Sequence, residues 1–162
     1  MSSTNFNGWK IFFHPLFNEQ WQALSSRVLD LKSRLSKEQF ITHPDVKLLK
    51  TLDIGIKNKI TQDPLASHFV LQKPLQKYSR LKKMGLASRY RLFFRVFDEQ
   101  KTIIIFWLGF PRKEGDKNDC YEVFTKKVKN GDFPENLEKL LAECKVELEN
   151  DQDETKDGGE DE

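Results

Sequence analysis

The chain has 162 residues, a formal net charge of +2, 38% hydrophobic residues and two cysteines. That length fits one domain whose core needs neither disulfides nor stacked repeats. No apolar run approaches the roughly 20 residues of a membrane-spanning helix. The first ten residues lack the basic and apolar segments of a secretion signal, so we expect a soluble, cytoplasmic protein with no membrane partner.

Charge is distributed unevenly along the chain. Residues 150–162 hold seven acids and one Lys, a net of −6, which leaves +8 for residues 1–149. We predict one folded domain over 1–149 and a disordered acidic tail over 150–162, because the tail has no apolar residue to bury. The tail is expected either to solubilise the protein or to shield its basic surface at low salt.

The basic charge is concentrated in one block. No Asp or Glu occurs between Asp63 and Asp98, whereas Lys73–Arg95 contains eight Lys or Arg residues. An acid-free basic block set among aromatic rings is typical of a protein that binds a polyanion, since each cation that neutralises a phosphate releases counterions.

The first half of the chain predicts one strand and two helices. The segment 9–14 is typical of a strand, and apolar residues spaced by three and four predict a helix over 15–35. A second helix is predicted from near Pro44 to about Ile60. Residues 64–78 have no clear period and predict a long surface loop.

The second half predicts an antiparallel meander followed by helices. Strands are expected over 78–84, 89–97 and 102–110. Asp119 is suited to cap a short helix that ends at Gly131, and Pro134 to open a last helix that reaches Leu148. We therefore predict an α+β fold: a small antiparallel sheet with two N-terminal helices packed on one face and C-terminal helices grouped with them.

Strand alternation divides the side chains of 89–97 between two faces. The core face receives Tyr90, Leu92, Phe94 and Val96. The other face receives Arg89, Arg91, Phe93, Arg95 and Phe97. Antiparallel pairing would add Arg80 and Lys82 beside Arg91. This second face is either a solvated charged surface or an exposed groove that binds RNA, and the predicted RNA contacts are Lys77, Arg80, Lys83, Arg89, Arg95 and Lys113.

The polar loop after the last strand and the helix that follows supply further candidates. Arg112 lies in the loop and Tyr121 begins the helix. RNA cleavage by its own 2′-hydroxyl needs a base, an acid and charge at the phosphate, which Lys, Tyr and Arg side chains can provide without a metal. Tyr121 is either such a proton-transfer group or a ring that packs near Phe124.

Other chemistry is disfavoured. His14, His43 and His68 are far apart, and we interpret them as turn or boundary residues; Cys120 and Cys144 are interpreted as buried thiols. The chain has no Gly-rich phosphate loop, no CxxC and no GxSxG. We therefore predict no cofactor and no metal site.

Three blocks resemble a known family in their order and spacing: NGWKIFFHPLF at 7–17, ASRYRLFFRVF at 87–97 and DCYEVFTKKVKNGDFPENLEKL at 119–140. They resemble the YhaV-type toxins of bacterial toxin–antitoxin systems, members of the RelE-like superfamily, over roughly residues 5–145. The resemblance implies a RelE-like fold, cleavage of messenger RNA that in many relatives occurs on the ribosome, growth inhibition, and neutralisation by a PrlF-type antitoxin.

The resemblance also implies roles for single residues. Arg91 matches the phosphate-stabilising arginine, and Arg80 and Lys82 stand where relatives have lysines that bind or deprotonate the substrate. Arg112 matches a second arginine and Tyr121 a late tyrosine. The alternatives are a ParE-type toxin that binds gyrase without cutting nucleic acid, or a plain RNA-binding module. Such a binder needs the charge but not the tyrosine, so the set Lys82, Arg91, Arg112 and Tyr121 favours a nuclease.

Overall fold

The computed structural model describes residues 5–82, 90–109, 119–144 and 146–147. Outside these residues lie the predictions made for the acidic tail, Leu148, Lys83, Arg89, Arg112 and Lys113.

The N-terminal half contains a short hairpin followed by helices. Its elements are β1 (Asn5–Phe6), β2 (Trp9–Phe13), α1 (Pro15–Arg34), α2 (Lys37–Thr42), α3 (Pro44–Ile54) and a π-helical segment (Gly55–Ile60). The predicted strand and the two long helices are confirmed. The helix α2 was not predicted; Ser36 and Gln39 form a reciprocal capping box at its start.

Two His-Pro pairs start the long helices. His14 Nδ1 accepts the Leu16 N–H at 3.2 Å, and His43 Nδ1 accepts the Asp45 N–H at 3.1 Å. Proline suits the first helical position because its missing N–H has no partner there in any case. The interpretation of these two histidines as boundary residues is therefore confirmed.

Within the described ranges, none of the helices combines the length and apolarity needed to cross a membrane.

The C-terminal half consists of strands, then helices. Its elements are β3 (Ser79–Leu81), β4 (Arg91–Phe97), β5 (Thr102–Gly109), α4 (Cys120–Lys129), α5 (Leu137–Glu143) and β6 (Val146–Glu147). As predicted, Asp119 caps α4. The prediction that Pro134 opens the last helix is wrong, because Asn136 caps α5 by accepting the Glu138 N–H at 2.7 Å.

In the part of the chain that the structure describes, six strands form one mixed sheet in the order β1-β2-β5-β4-β3, with β6 paired to β2. The strands β3, β4 and β5 form the predicted antiparallel meander. The strand β2 is the exception, because it runs parallel to β5. The fold class is α+β, as predicted.

Helices cover both faces of the sheet. The first face packs against α1, α3 and the π-helical segment, as predicted for the N-terminal helices. On the second face, Phe124 of α4 and Leu140 of α5 pack with Phe93, Ile104 and Phe106, all fully buried. The prediction that all helices share one face and leave the other as an exposed groove is therefore wrong. Both faces of β4 and β5 carry large apolar side chains, and each needs its own cover.

The segment 64–78 also differs from its prediction. It has no helix or strand, but it is not confined to the surface: Phe69, Leu71, Leu75 and Tyr78 are buried. Phe69 belongs to the core of the first face, and the other three belong to that of the second. The segment therefore wraps around the β3 edge and contributes to both cores.

Candidate active site

Three side chains singled out in the sequence meet at one oxygen atom. Arg80 Nε and Arg91 Nε each donate a hydrogen bond of 3.1 Å to Tyr121 Oη, although they lie 41 and 30 residues away along the chain. A phenol oxygen has two acceptor lone pairs and one O–H donor. Since cations occupy both lone pairs, the O–H is left to donate. We call Arg80, Arg91 and Tyr121 the Arg–Tyr cluster.

The sheet register brings the two arginines together. Arg80 of β3 lies opposite Phe93 of β4, and Arg91 precedes Phe93 by two positions, which places it on the same face. Phe93 is fully buried, with its ring stacked at 4.3 Å on Phe124. The Tyr121 ring meets Phe93 edge-on at 5.7 Å. Tyr121 therefore does both things considered above: its ring packs in the core and its hydroxyl binds the arginines.

A glycine sets the position of α4 over the sheet. Gly109 lies opposite Arg91 in the β4–β5 pair. A Cβ added to Gly109 would lie 2.7 Å from Cys120 Cβ and 2.7 Å from the Trp107 ring, closer than real side chains approach. The start of α4 can thus approach the sheet only because residue 109 has no side chain. The following residue of α4 is Tyr121, which this contact places beside Arg91.

Backbone groups hold each member of the cluster in place. Arg80 Nη1 donates to the carbonyl oxygens of His68 at 3.1 Å and Phe69 at 3.5 Å. Arg91 Nη1 donates to the backbone carbonyl oxygen of its neighbour Tyr90 at 3.0 Å. The Tyr121 N–H donates to Asp119 Oδ2 at 3.0 Å. The two guanidinium groups are therefore oriented before any substrate binds, which is what electrostatic catalysis requires.

Arg80 lines two clefts. One, of about 370 Å³, runs along residues 70–75 and includes Tyr121. The other, of about 440 Å³, lies between the end of the π-helical segment, residues 62–69 and the end of β3. Exposed Lys82 lines this second cleft. Two of the predicted cations, Arg80 and Lys82, thus share one wall.

Two further predicted RNA contacts lie around Glu135 instead. Lys77 forms an ion pair with the Glu135 carboxylate. Arg95 Nη1 donates to the Glu135 carbonyl oxygen at 3.1 Å, and its guanidinium lies 4.4 Å from the centre of the Phe97 ring. The structure therefore groups Lys77 and Arg95 around Glu135, whereas Arg80 and Arg91 are grouped around Tyr121.

The cysteines are buried, as interpreted from the sequence. Burial raises the pKa of the Cys120 thiol to about 12, and likewise that of Cys144 to about 12. Both thiols therefore stay protonated at neutral pH and are not nucleophiles. Across residues 5–82, 90–109, 119–144 and 146–147, no group of three or more His, Cys, Asp or Glu side chains could hold a metal ion.

Sequence reasoning missed several residues around the cluster. Gly109 ends an apolar run, which marks the end of a strand but not the close approach of a helix. Lys59, Gln62 and His68 line the 440 Å³ cleft, yet they precede the basic range Lys73–Arg95 from which the RNA-binding face was predicted. Only the packing of residues 62–69 against β3 brings them near Arg80.

Comparison with known proteins now decides the family. Residues 11–145, which include the whole Arg–Tyr cluster, match the YhaV toxins, described as a toxin with endonuclease activity, of toxin–antitoxin system. The chain belongs to the YhaV toxin family. It is 37% identical over 145 residues to ribonuclease toxin YhaV of Escherichia coli strain K12, with 85% of this chain and 92% of that protein covered. Toxin YhaV of E. coli O157:H7 gives the same figures.

Solved structures also show similarity, at greater distance. The isolated E. coli RelE toxin is 16% identical, with 75% of this chain and 97% of that chain covered and a TM-score of 0.38. A chain of the RelBE2 toxin–antitoxin complex from Mycobacterium tuberculosis is 15% identical, with 68% and 97% covered and a TM-score of 0.38.

Family membership confirms the resemblance drawn from the three sequence blocks. This YhaV-family chain is the toxin component of a toxin–antitoxin system and an endoribonuclease. An antitoxin is accordingly one of its partners.

Proposed function

We propose that this YhaV-family toxin cleaves messenger RNA at the Arg–Tyr cluster, without a metal ion. The observation that carries the proposal is the phenol oxygen of Tyr121, which accepts hydrogen bonds from Arg80 and Arg91 at 3.1 Å each. This arrangement sets a proton donor between two fixed positive charges, which suits the protonation of a leaving group at a phosphodiester.

The reaction is an internal displacement at phosphorus. The 2′-oxygen forms a bond to phosphorus while the bond from phosphorus to the 5′-oxygen breaks. Tyr121 gives its phenol proton to the departing 5′-oxygen. Lys82 in its neutral form accepts the 2′-hydroxyl proton, since it lines the cleft that Arg80 lines and the guanidinium groups stay protonated. The products carry a 2′,3′-cyclic phosphate and a 5′-hydroxyl. Lys82 then releases the proton that it accepted to solvent, and Tyr121 recovers its own proton from solvent.

The two arginines stabilise the phosphorane, which carries one more negative charge than the substrate. A guanidinium group presents its positive charge and several N–H donors in a planar set that matches the oxygens of a phosphate. The orientation of the two arginines by the carbonyls of His68 and Tyr90 means that little reorganisation is needed when the charge develops.

The biological setting follows from the same proposal. Cleavage of messenger RNA, free or on the ribosome, stops translation and growth. The antitoxin is of the PrlF type, and the protein acts in the cytoplasm. Lys83, Arg89, Arg112 and Lys113 add positive charge for the RNA, and Lys77 and Arg95 extend the contact at the Glu135 side. No cofactor takes part.

The products of a defined RNA test this function. We expect the purified protein to cleave RNA, either free or in translating ribosomes, and to leave a 2′,3′-cyclic phosphate. Cleavage of free RNA should proceed in excess EDTA. The control is Lys32→Gln, at an exposed position near the end of α1. This variant should cleave RNA at the same rate as wild type. Binding of RNA without cleavage of free or ribosome-bound messenger RNA would contradict the proposal and favour an RNA-binding module. Cleavage of free RNA that stops in EDTA and returns with added metal would also contradict it.

A further inference from the structure

The 440 Å³ cleft beside Arg80 has walls suited to one nucleotide. Its floor includes the buried side chains of Phe69 and Leu81, and its rim includes exposed Lys59, Gln62 and His68. Ligand sites typically enclose about 300–1,000 Å³ and combine apolar walls with a few polar groups. The volume and lining of this cleft are in that range.

Charge and ring chemistry indicate the class of ligand. Among the lining residues that the structure describes, Lys59, Arg80 and Lys82 face the cleft with one carboxylate, that of Asp63, so this lining attracts an anion. The exposed His68 ring lies 4.2 Å from the Phe69 ring, centre to centre, and offers a flat surface at the rim. Flat rings among cations are how proteins bind single-stranded RNA, because every base has a face that stacks.

One side chain joins this cleft to the Arg–Tyr cluster. Arg80 Nη1 donates to the His68 carbonyl at 3.1 Å, and Arg80 Nε donates to Tyr121 Oη at 3.1 Å. A single guanidinium group therefore spans from the cleft wall to the phenol. A phosphate bound to Arg80 is therefore placed to be the reacting phosphate and also part of a nucleotide that lies inside the cleft.

We propose that the cleft between Lys59, Gln62 and His68 binds the nucleotide adjacent to the cleaved phosphodiester. This subsite rests on the proposed RNA cleavage at the Arg–Tyr cluster. Lys59 contacts a phosphate, His68 stacks on the base, and the Gln62 amide, which both donates and accepts hydrogen bonds, contacts the base edge. Lys59, Gln62 and His68 position the RNA, whereas the groups that act on the breaking bond remain Lys82 and the Arg–Tyr cluster.

Binding is measured without cleavage by placing one 2′-deoxynucleotide at the cleavage position of a fluorescent RNA, since the attacking hydroxyl is then absent. We expect His68→Ala to weaken binding about tenfold, the effect of losing one stacked base. Lys59→Gln should reduce the slope of log affinity against log salt by about 0.7, as expected for one lost phosphate contact to a single strand. Lys50→Gln, on an exposed position of α3, is the matched control and should change neither quantity.

A double-mutant cycle locates the nucleotide. An abasic residue is placed in turn at each nucleotide flanking the cleaved bond. For one of these positions, wild type should bind the abasic RNA about tenfold more weakly than the intact RNA, whereas His68→Ala should bind the two RNAs with equal affinity. Independent effects of the abasic residue and His68→Ala at every flanking position would overturn the subsite, as would unchanged affinity of His68→Ala and Lys59→Gln.

The catalytic proposal fails by a different result. Loss of bond cleavage is tested with Tyr121→Phe, which leaves the cleft lining intact. Should Tyr121→Phe cleave as fast as wild type while the His68 cycle shows coupling, the subsite stands and the role of Tyr121 falls. Should Tyr121→Phe be inactive and the cycle show no coupling, the subsite falls alone.

Discussion

Arg91 of β4 and Tyr121 of α4 are joined by a hydrogen bond of 3.1 Å from guanidinium Nε to phenol Oη, across 30 residues of sequence. The bond links the central sheet to the helix that covers its second face. Its geometry depends on the pairing of Arg91 with Gly109 and on the packing of Tyr121 against Phe93. A change at either support is therefore expected to alter the reaction as well as the packing.

The first prediction concerns the charge at the phosphate. Arg91→Ala should lower kcat by about 10²–10³-fold, the usual loss when a preorganised charge donor is removed. Arg91→Lys should recover only part of this rate, because an ammonium lacks the planar set of donors. Single-turnover cleavage measures both, with thermal unfolding to confirm the fold.

Arg27 provides the control for that comparison. Arg27 is exposed and forms an ion pair with Asp45, between the helices α1 and α3 that cover the first face of the sheet. The Arg27→Ala protein should therefore cleave RNA like wild type. A folded Arg91→Ala protein with the rate of Arg27→Ala would remove Arg91 from the mechanism.

A second prediction concerns the close approach of α4 to the sheet. Gly109→Ala should lower the free energy of unfolding by about 1–3 kcal/mol, the usual cost of overpacking, and should lower kcat because Cys120 and the adjacent Tyr121 must shift. Gly8→Ala separates the two effects: Gly8 has a φ of +88° and open space around a new Cβ, so stability falls while kcat holds. Urea unfolding and single-turnover rates give both quantities; a Gly109→Ala enzyme with unchanged kcat would contradict this account of the site.

The third prediction is a loss of stability in acid. Burial lowers the pKa of His14 below its ordinary 6.5, a shift that Glu143 partly offsets. The unfolded chain therefore binds a proton near pH 6.5 that the folded chain does not, so the His14 contribution is fully present above pH 6.5 and falls as pH drops below it. Protonation of Nδ1 would also remove the acceptor for the Leu16 N–H.

The variant His14→Ser tests this contribution, because Ser caps a helix without titrating in this range. Urea unfolding above and below pH 6.5 should show a larger loss for wild type than for His14→Ser. Equal losses in the two proteins would show that His14 is not the group responsible.

Local sequence patterns predicted the positions of the arginines better than they predicted which elements surround them. Alternation with period two placed Arg91 and Phe93 on one face of β4, and antiparallel pairing placed Arg80 beside them, because both rules act between neighbouring residues. The sequence did not show that α4 covers this face, since the contact of Phe93 with Phe124 joins distant segments. The sequence did contain one sign of this cover, because Phe93 is a large apolar ring among arginines on a face that was expected to be exposed.

Two other features illustrate why short elements and clefts are missed. The helix α2 has a readable capping box at Ser36 and Gln39, but none of its residues is buried, so it lacks the apolar stripe by which helices are recognised. Lys59 and His68 share a cleft only because residues 62–69 fold back against β3. Neither residue belongs to a motif, and their proximity to Arg80 becomes visible only in three dimensions.

The central claim is that Tyr121 donates a proton to the departing 5′-oxygen. RNA with sulfur in place of that oxygen tests it, because a thiolate, with a conjugate-acid pKa of about 8.5 for a simple thiol, leaves without being protonated. On ordinary RNA, Tyr121→Phe should be slower than wild type by about 10²–10⁴-fold. On the 5′-sulfur RNA, the two proteins should cleave at nearly equal rates. A defect of the same size on both substrates would contradict proton donation by Tyr121.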